Sequence, residues 1–179
     1  SRSPCSWWPQ QSSLDLRSML IPMEVVGVRV EMPSNQPIVL LKEINGSRFL
    51  PIWVGTGEAT AIAFAQQGLE PARPLTHDLM SNVLDLLEAT LTAVHITDLV
   101  DGVFFATLLV RDQSSKALTL DARPSDAIAL AIRTHSNILA TAEVLNKAGI
   151  EMPAGDGTNQ EVEKFREFLD QINPEDFIG

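Results

Sequence analysis

The chain has 179 residues, 45% of them hydrophobic, a single cysteine and a formal net charge of −10. That length suits one domain with a substantial core, and a lone Cys5 excludes an internal disulfide. The charge is uneven: residues 151–179 hold eight carboxylates against two cations, which argues against a broad phosphate-tracking surface but leaves room for a small local anion site.

No apolar run approaches the ~18 residues of a membrane span, so no membrane association is expected. No basic segment followed by an apolar stretch opens the chain, and a cytoplasmic location is the expectation. Residues 1–22 are Ser- and Pro-rich without a sustained period, and read as an N-terminal extension, disordered or left over from cloning. Trp7 and Trp8 in it are potential anchors to another surface.

From Met23 the pattern changes. "MEVVGVRVEM" alternates, with Val26, Val28, Val30 and Met32 on one side, and predicts a half-buried strand. "PIVLLKEI" and "SRFLPIWV" flank Asn45–Gly46, a pair that predicts a type I′ hairpin because that turn needs positive φ at both central residues. Pro51 in the second arm points to an edge or a bulge. "GTGEATAIAFAQQG" predicts a helix with Thr56 as N-cap, Glu58 in the first turn and Gly68 as its stop. "THDLMSNVLDLLEATL" predicts an amphipathic helix that buries Leu79, Val83, Leu86 and Leu87.

"AVHITDLVDGVFFATLLVRD" reads as two strands joined at Asp101–Gly102, and "ALTLDA" as a third. His95 is expected to face outward from its strand. "SDAIALAIRTH" is apolar almost all round, which predicts a helix buried on several sides and ending at His135. A short "ILA" strand follows, then a helix between Thr141 and Gly149, a linker, and an acidic amphipathic helix "EVEKFREFLDQI". Strands that arrive mostly as hairpins predict an α+β fold: a single domain over 23–150 with a mixed, largely antiparallel sheet and helices packed on it.

Two stretches share a layout. "RPLTHDL" (73–79) and "RPSDAI" (123–128) each set Arg-Pro before a hydroxyl residue and an aspartate that open a helix. Capping explains much of this: Thr76 and Ser125 would accept from free backbone N–H groups, while Asp78 and Asp126 complement the positive helix end. Arg73 and Arg123 fit that account poorly, because a cation opposes the dipole there, so each needs a carboxylate or an anion. His77 is either a proton carrier or metal ligand, or a satisfied first-turn histidine. Glu58, Asp78, Asp98, Asp121 and Asp126 lie near element ends, but no zinc signature, phosphate loop or serine-hydrolase elbow is present.

Taken together, "LPIWVGTGEATAIAFAQQG", "RPLTHDL" and "DARPSDAIALAIR" resemble the bifunctional nuclease family over about residues 23–150, and the acidic tail resembles its actinobacterial members. The resemblance implies a small α+β domain associated into homo-oligomers, dimers or larger, and hydrolysis of phosphodiester bonds in RNA, DNA or both. The positions carried over are Glu58, Arg73, Thr76, His77, Asp78, Arg123, Ser125 and Asp126. Under that reading His77, Asp78 and Asp126 are the catalytic candidates, and Arg73, Arg123, Thr76 and Ser125 would bind substrate. Glu58, Asp78 and Asp126 would hold a divalent cation such as Mg²⁺ or Mn²⁺. The alternative is a non-enzymatic oligomeric binding or regulatory module, in which the Arg/Asp pairs are structural and an anion site serves recognition. Which reading holds depends on whether the two Arg-Pro sites meet in space.

Overall fold

Alternating and doubly apolar strands need cover, and here the helices supply it on one face of a single sheet. The computed structural model describes residues 19–151. The elements run β1 (Leu20–Glu31), β2 (Gln36–Glu43), β3 (Arg48–Trp53), α1 (Thr56–Gln67), α2 (Thr76–Leu86), β4 (Thr90–Val100), β5 (Val103–Arg111) and β6 (Ala117–Ala122). They continue with α3 (Pro124–Thr134), β7 (Asn137–Thr141), α4 (Ala142–Ala148) and β8 (Ile150–Glu151). Cys5, Trp7, Trp8 and the C-terminal acidic helix read from the sequence lie outside the described residues. Among the described residues, no helix is long and apolar enough to cross a membrane.

The sheet has eight strands in the order β6-β5-β4-β7-β1-β2-β3-β8, and the fold is α+β as the hairpin pattern predicts. Every neighbouring pair is antiparallel except β4 and β7. A parallel pair needs a crossover, and the connection leaving β4 returns through α3, which therefore lies across the sheet. β7 joins the two hairpin groups by pairing β4 on one side and β1 on the other. β1 begins at Leu20, three residues inside the segment read as an extension, because Leu20, Ile21 and Pro22 are recruited by β7.

Local chemistry explains where the strand reading held and where it slipped. Asp101 and Gly102 take φ of 51° and 77°, and Val100 pairs Val103, the expected two-residue turn. Asn45 and Gly46 do not take positive φ, and the last β2–β3 pair is Lys42 with Phe49. There the buried Glu43 closes a wider loop, accepting from the Arg48 backbone N–H at 3.1 Å and from its guanidinium at 3.0 and 2.8 Å. In β1 a bulge between Val25 and Gly27 switches the inward side: Ile21, Met23 and Val25 pack inward before it, and Val28 after it. Val26 is consequently exposed rather than buried, while Val30 and Met32, on the side of Val28, are exposed at the end of the strand outside the core. Pro51 does sit on a free edge, since β8 pairs β3 only at Arg48 and Phe49.

The main core lies between sheet and helices. Val39, Leu41, Leu50, Ile52, Val94, Ile96, Ala106 and Ile138 meet Ile62 of α1, Ile128 and Leu130 of α3, and Val144 and Leu145 of α4. α3 is buried from Pro124 to Ala131, save Asp126 in its first turn, and touches α1, α2, β4 and β5. Its alanines at 127, 129 and 131 let those neighbours approach closely.

α2 is rotated away from its expected orientation. Leu79, Val83, Leu86 and Leu87 are exposed, while His77, Met80 and Leu84 turn inward. Two polar links to α3 set this rotation: Asp78 Oδ1 accepts from Arg133 Nε at 2.7 Å, and His77 Nε2 lies 2.9 Å from Asp126 Oδ1. The Arg133 side chain is nearly buried, so facing it away from Asp78 would strand a charge, and that outweighs burying a leucine stripe.

Ile128→Ala removes a fully buried side chain beneath the helix layer and should lower unfolding free energy by about 2–5 kcal/mol in urea titrations, with an unchanged slope. The Arg133 guanidinium and the Leu75 N–H hold the Asp78 carboxyl below its usual value, and Arg48 does the same for Glu43. Groups depressed on folding stabilise above their unfolded pKa and lose that contribution as pH falls through the folded value. Stability should therefore hold above about pH 5 and decline below about pH 4, and Arg133→Gln should make that acid decline shallower. An unaltered acid slope in the variant would show that Asp78 is not so coupled.

Candidate functional site

Three helices open toward one place. α3 lies between α1 and α2, so its first turn meets the first turns of both. The residues preceding these helices are Gly55, Leu75 and Arg123, which puts Thr56 and Thr76 at the first helical position and Ser125 at the second. None of the three hydroxyl residues is an N-cap, contrary to the capping expectation. At α2 the N-cap residue is itself bonded, its backbone N–H donating to Asp78 Oδ2 at 2.9 Å. Thr141 does cap α4, accepting from the Val144 N–H at 3.3 Å.

Arg123 holds two carboxylates. Its Nη2 is 2.9 Å from Glu58 Oε1 and 2.8 Å from Asp126 Oδ2, and its Nε donates to the same Asp126 oxygen at 2.9 Å. The other oxygen of Asp126 meets His77 Nε2. A continuous chain results: Glu58 of α1, Arg123 before α3, Asp126 in α3 and His77 of α2. Asp126 first, and then Glu58, hold the guanidinium still more firmly protonated than usual. A Cβ at Gly55 would meet the carboxylate of Glu58, the mobile end of a flexible side chain, where it folds back over the helix start.

Depth separates the members of the chain. The Arg123 side chain is 65% exposed, while that of His77 is only 8% exposed. Beside Arg123 opens a pocket of about 340 Å³ lined by Glu58, Arg123, Ser125, Gln36, Trp53 and Phe104, among others. His77, Asp78 and Asp126 are not among its walls. Glu58 and Arg123 thus face the cavity, and Asp126 and His77 back them from behind. This arrangement can present a positive, hydrogen-bonding head and a carboxylate side by side in a partly apolar cleft.

The remaining candidates fall elsewhere. Asp78 is committed to Arg133 and Leu75, Arg73 and Thr76 are exposed outside the network, and Asp98 and Asp121 sit on strands β4 and β6. His95 lies within the sheet opposite Thr107 and Leu139, half-buried, and burial pushes its pKa down. Glu58, Asp78 and Asp126 each direct a carboxylate at an arginine. No group of three His, Cys, Asp or Glu side chains among the described residues is placed to hold a metal ion. The donor set as arranged does not fit a divalent cation. Sequence reading passed over Arg133 and the pocket walls Trp53 and Phe104. A signal for Arg133 existed: it lies seven residues after Asp126, on the same face of a helix.

Comparison with known proteins bears on what this site serves. The chain is 46% identical over 162 residues to uncharacterised proteins of two Mycobacterium tuberculosis strains, covering 87% of this chain and 96% of each relative. It is 29% identical over 100 residues to Bifunctional nuclease 1 of Arabidopsis thaliana, covering 54% of this chain and 31% of that protein. The bifunctional nuclease domain matches residues 39–153, a span that takes in the pocket walls named above except Gln36, the Glu58–Arg123–Asp126–His77 chain and the Asp78–Arg133 tether. On that match and those relatives, the chain belongs to the bifunctional nuclease domain family.

Proposed function

We propose that this protein hydrolyses phosphodiester bonds in RNA or DNA at the pocket beside Arg123. The observation that carries the reading is the placement of Arg123 and Glu58 on the wall of one cleft, with Asp126 and His77 holding Arg123 from behind. Membership of the family, and the nuclease name of its Arabidopsis member, support the reaction class.

The chemistry follows from an exchange of partners. A phosphate arriving at the pocket takes the outward Nη2 of Arg123 in place of Glu58, while Nε stays on Asp126. Glu58, released, is then a free carboxylate beside the bound phosphate. It accepts a proton from a water that attacks phosphorus; the bond to the leaving sugar oxygen breaks, and that oxygen takes a proton from solvent. Arg123 stabilises the charge that gathers on the non-bridging oxygens. His77 acts here as a positioning residue, through Asp126. A divalent cation (Mg²⁺ or Mn²⁺) would bind only if Glu58 and Asp126 released Arg123, so chelation distinguishes the two sources of positive charge.

A second reading, a non-catalytic binding module with an anion site, draws on the same geometry. Arg123 already has two carboxylate partners, so the network is complete without a ligand.

The test is cleavage of single-stranded RNA and DNA by the purified chain, with and without chelator. Arg123→Ala and Glu58→Gln should each slow cleavage about 100-fold. His77→Ala should reduce turnover, and His77→Gln, which keeps a hydrogen bond to Asp126, should recover most of it. Cleavage that persists in excess chelator supports Arg123 as the charge on phosphate; cleavage that needs Mg²⁺ or Mn²⁺ moves Glu58 and Asp126 to ligand roles. A wild-type preparation that cleaves neither polymer, with Arg123→Ala lowering the melting temperature, establishes the non-catalytic reading instead.

A further inference from the structure

Strands β2 and β3 are apolar on both faces, and only one of those faces meets the helices. Val39, Leu41, Leu50 and Ile52 enter the main core, so Ile38, Leu40 and Trp53 point to the other side of the sheet. There they form a second apolar group and are only 0%, 6% and 9% exposed. Among the described residues, the partly buried apolar side chains packed against this group are Phe49 and Ile150. Phe49 pairs Lys42, four residues or about 13 Å along β2 from Ile38, too far to shut Ile38 from water. Glu31 shares this face by pairing Gln36, and one of its carboxylate oxygens is buried with no hydrogen-bond partner among the described residues. A bare sheet face leaves its side chains in water, so a further element covers this one.

We propose that the cover is the acidic helix read from the sequence at residues 161–172, laid by its own chain across the outer face of β2, β3 and β8. Its Val162, Phe165, Phe168 and Leu169 recur at helical spacing and give it one apolar side. The described residues end at Glu151 on β8, directly after Ile150, which already belongs to the group. Residues 152–160 can span up to about 30 Å, and a helix over 161–172 is about 18 Å long, enough to lie across three strands.

Charge selects between the apolar surfaces open to such a helix. Residues 151–179 hold eight carboxylates against two cations, so the tail avoids an acidic rim. The leucines of α2 are flanked by exposed Asp85 and Glu88, which repel it. On the outer sheet face Arg29 and Lys42 balance Glu24 and Glu31, and exposed Arg29 stands beside Ile38, where it can meet a tail carboxylate. Trp53 also lines the pocket beside Arg123, so the docked helix backs that wall from outside. The inference does not depend on the nuclease reading, since it concerns the face of the sheet away from α1 to α4.

Acrylamide quenching of Trp53 fluorescence in the full-length chain tests it. Trp7→Ser with Trp8→Ser leaves Trp53 as the one tryptophan and should keep it shielded from the quencher. Adding Phe165→Glu and Phe168→Glu should raise the quenching constant several-fold and move the emission to longer wavelength. In a chain carrying Cys5→Ser, Leu40→Cys and Phe168→Cys, oxidation should close a disulfide within one molecule, seen as a monomer of altered mobility on a non-reducing gel. Ready quenching already in the double serine variant overturns the proposal and makes the N-terminal segment the cover. Unchanged quenching in the glutamate variant also overturns it, as does a disulfide that forms only between two chains. If the glutamate variant fails to fold, the disulfide decides alone, and its absence overturns the proposal.

Discussion

The start of α3 is the constraint on which the rest depends. A helix buried on nearly all sides is favourable along its apolar length, but its first turn brings free N–H groups and, here, charged side chains into the same crowded layer. Asp126 within it is half-buried and needs partners in such a place, and the exposed Arg123 immediately before it supplies one from the solvent side. Glu58 and His77 complete their hydrogen bonds, one from each flanking helix. The polar cluster therefore follows from the burial of α3: α1 and α2 must begin where they do so that the charges at its start are met.

The same demand acts at the other end of α3. Arg133 is almost enclosed and takes Asp78 from α2 together with the carbonyl of Ala129. Two tethers separated by two helical turns of α3 thus fix both the position and the rotation of α2. Rotation decides which side of α2 meets solvent, and the outcome is a helix with its histidine inward and its leucines outward. In this protein a pair of polar links overrides the hydrophobic period, because an unpaired buried cation is worse than an exposed leucine.

The network also separates the roles of residues that look alike in sequence. Both Arg-Pro stretches precede an aspartate in the first turn of a helix, yet Arg123 sits at a pocket with two carboxylates whereas Arg73 is exposed outside the network. Asp126 supports the pocket arginine, and Asp78 supports a different arginine two turns further along the same face of α3. The repeated motif reflects repeated helix starts on either side of a shared helix, with different consequences for each.

Much of the fold was legible from residues alone. Alternation and turn residues located β4, β5 and their Asp101–Gly102 turn, and the all-round apolar pattern identified α3 as a buried helix, because these features depend on neighbours a few positions away. Three things were not legible, each for a reason of long-range contact. The Asn45–Gly46 turn yields to a wider loop because Glu43 and Arg48 close it with side chains; the β1 bulge resets which valines face inward; and α2 turns with its tethers to α3. The sequence by itself determined which residues needed partners, Arg123 most clearly, since a cation at a helix start is unfavourable alone. Only the tertiary structure decided who those partners are, because Glu58 lies 65 positions from Arg123 along the chain and His77 lies 49 from Asp126, and both reach the start of α3 solely by the packing of α1 and α2 on α3.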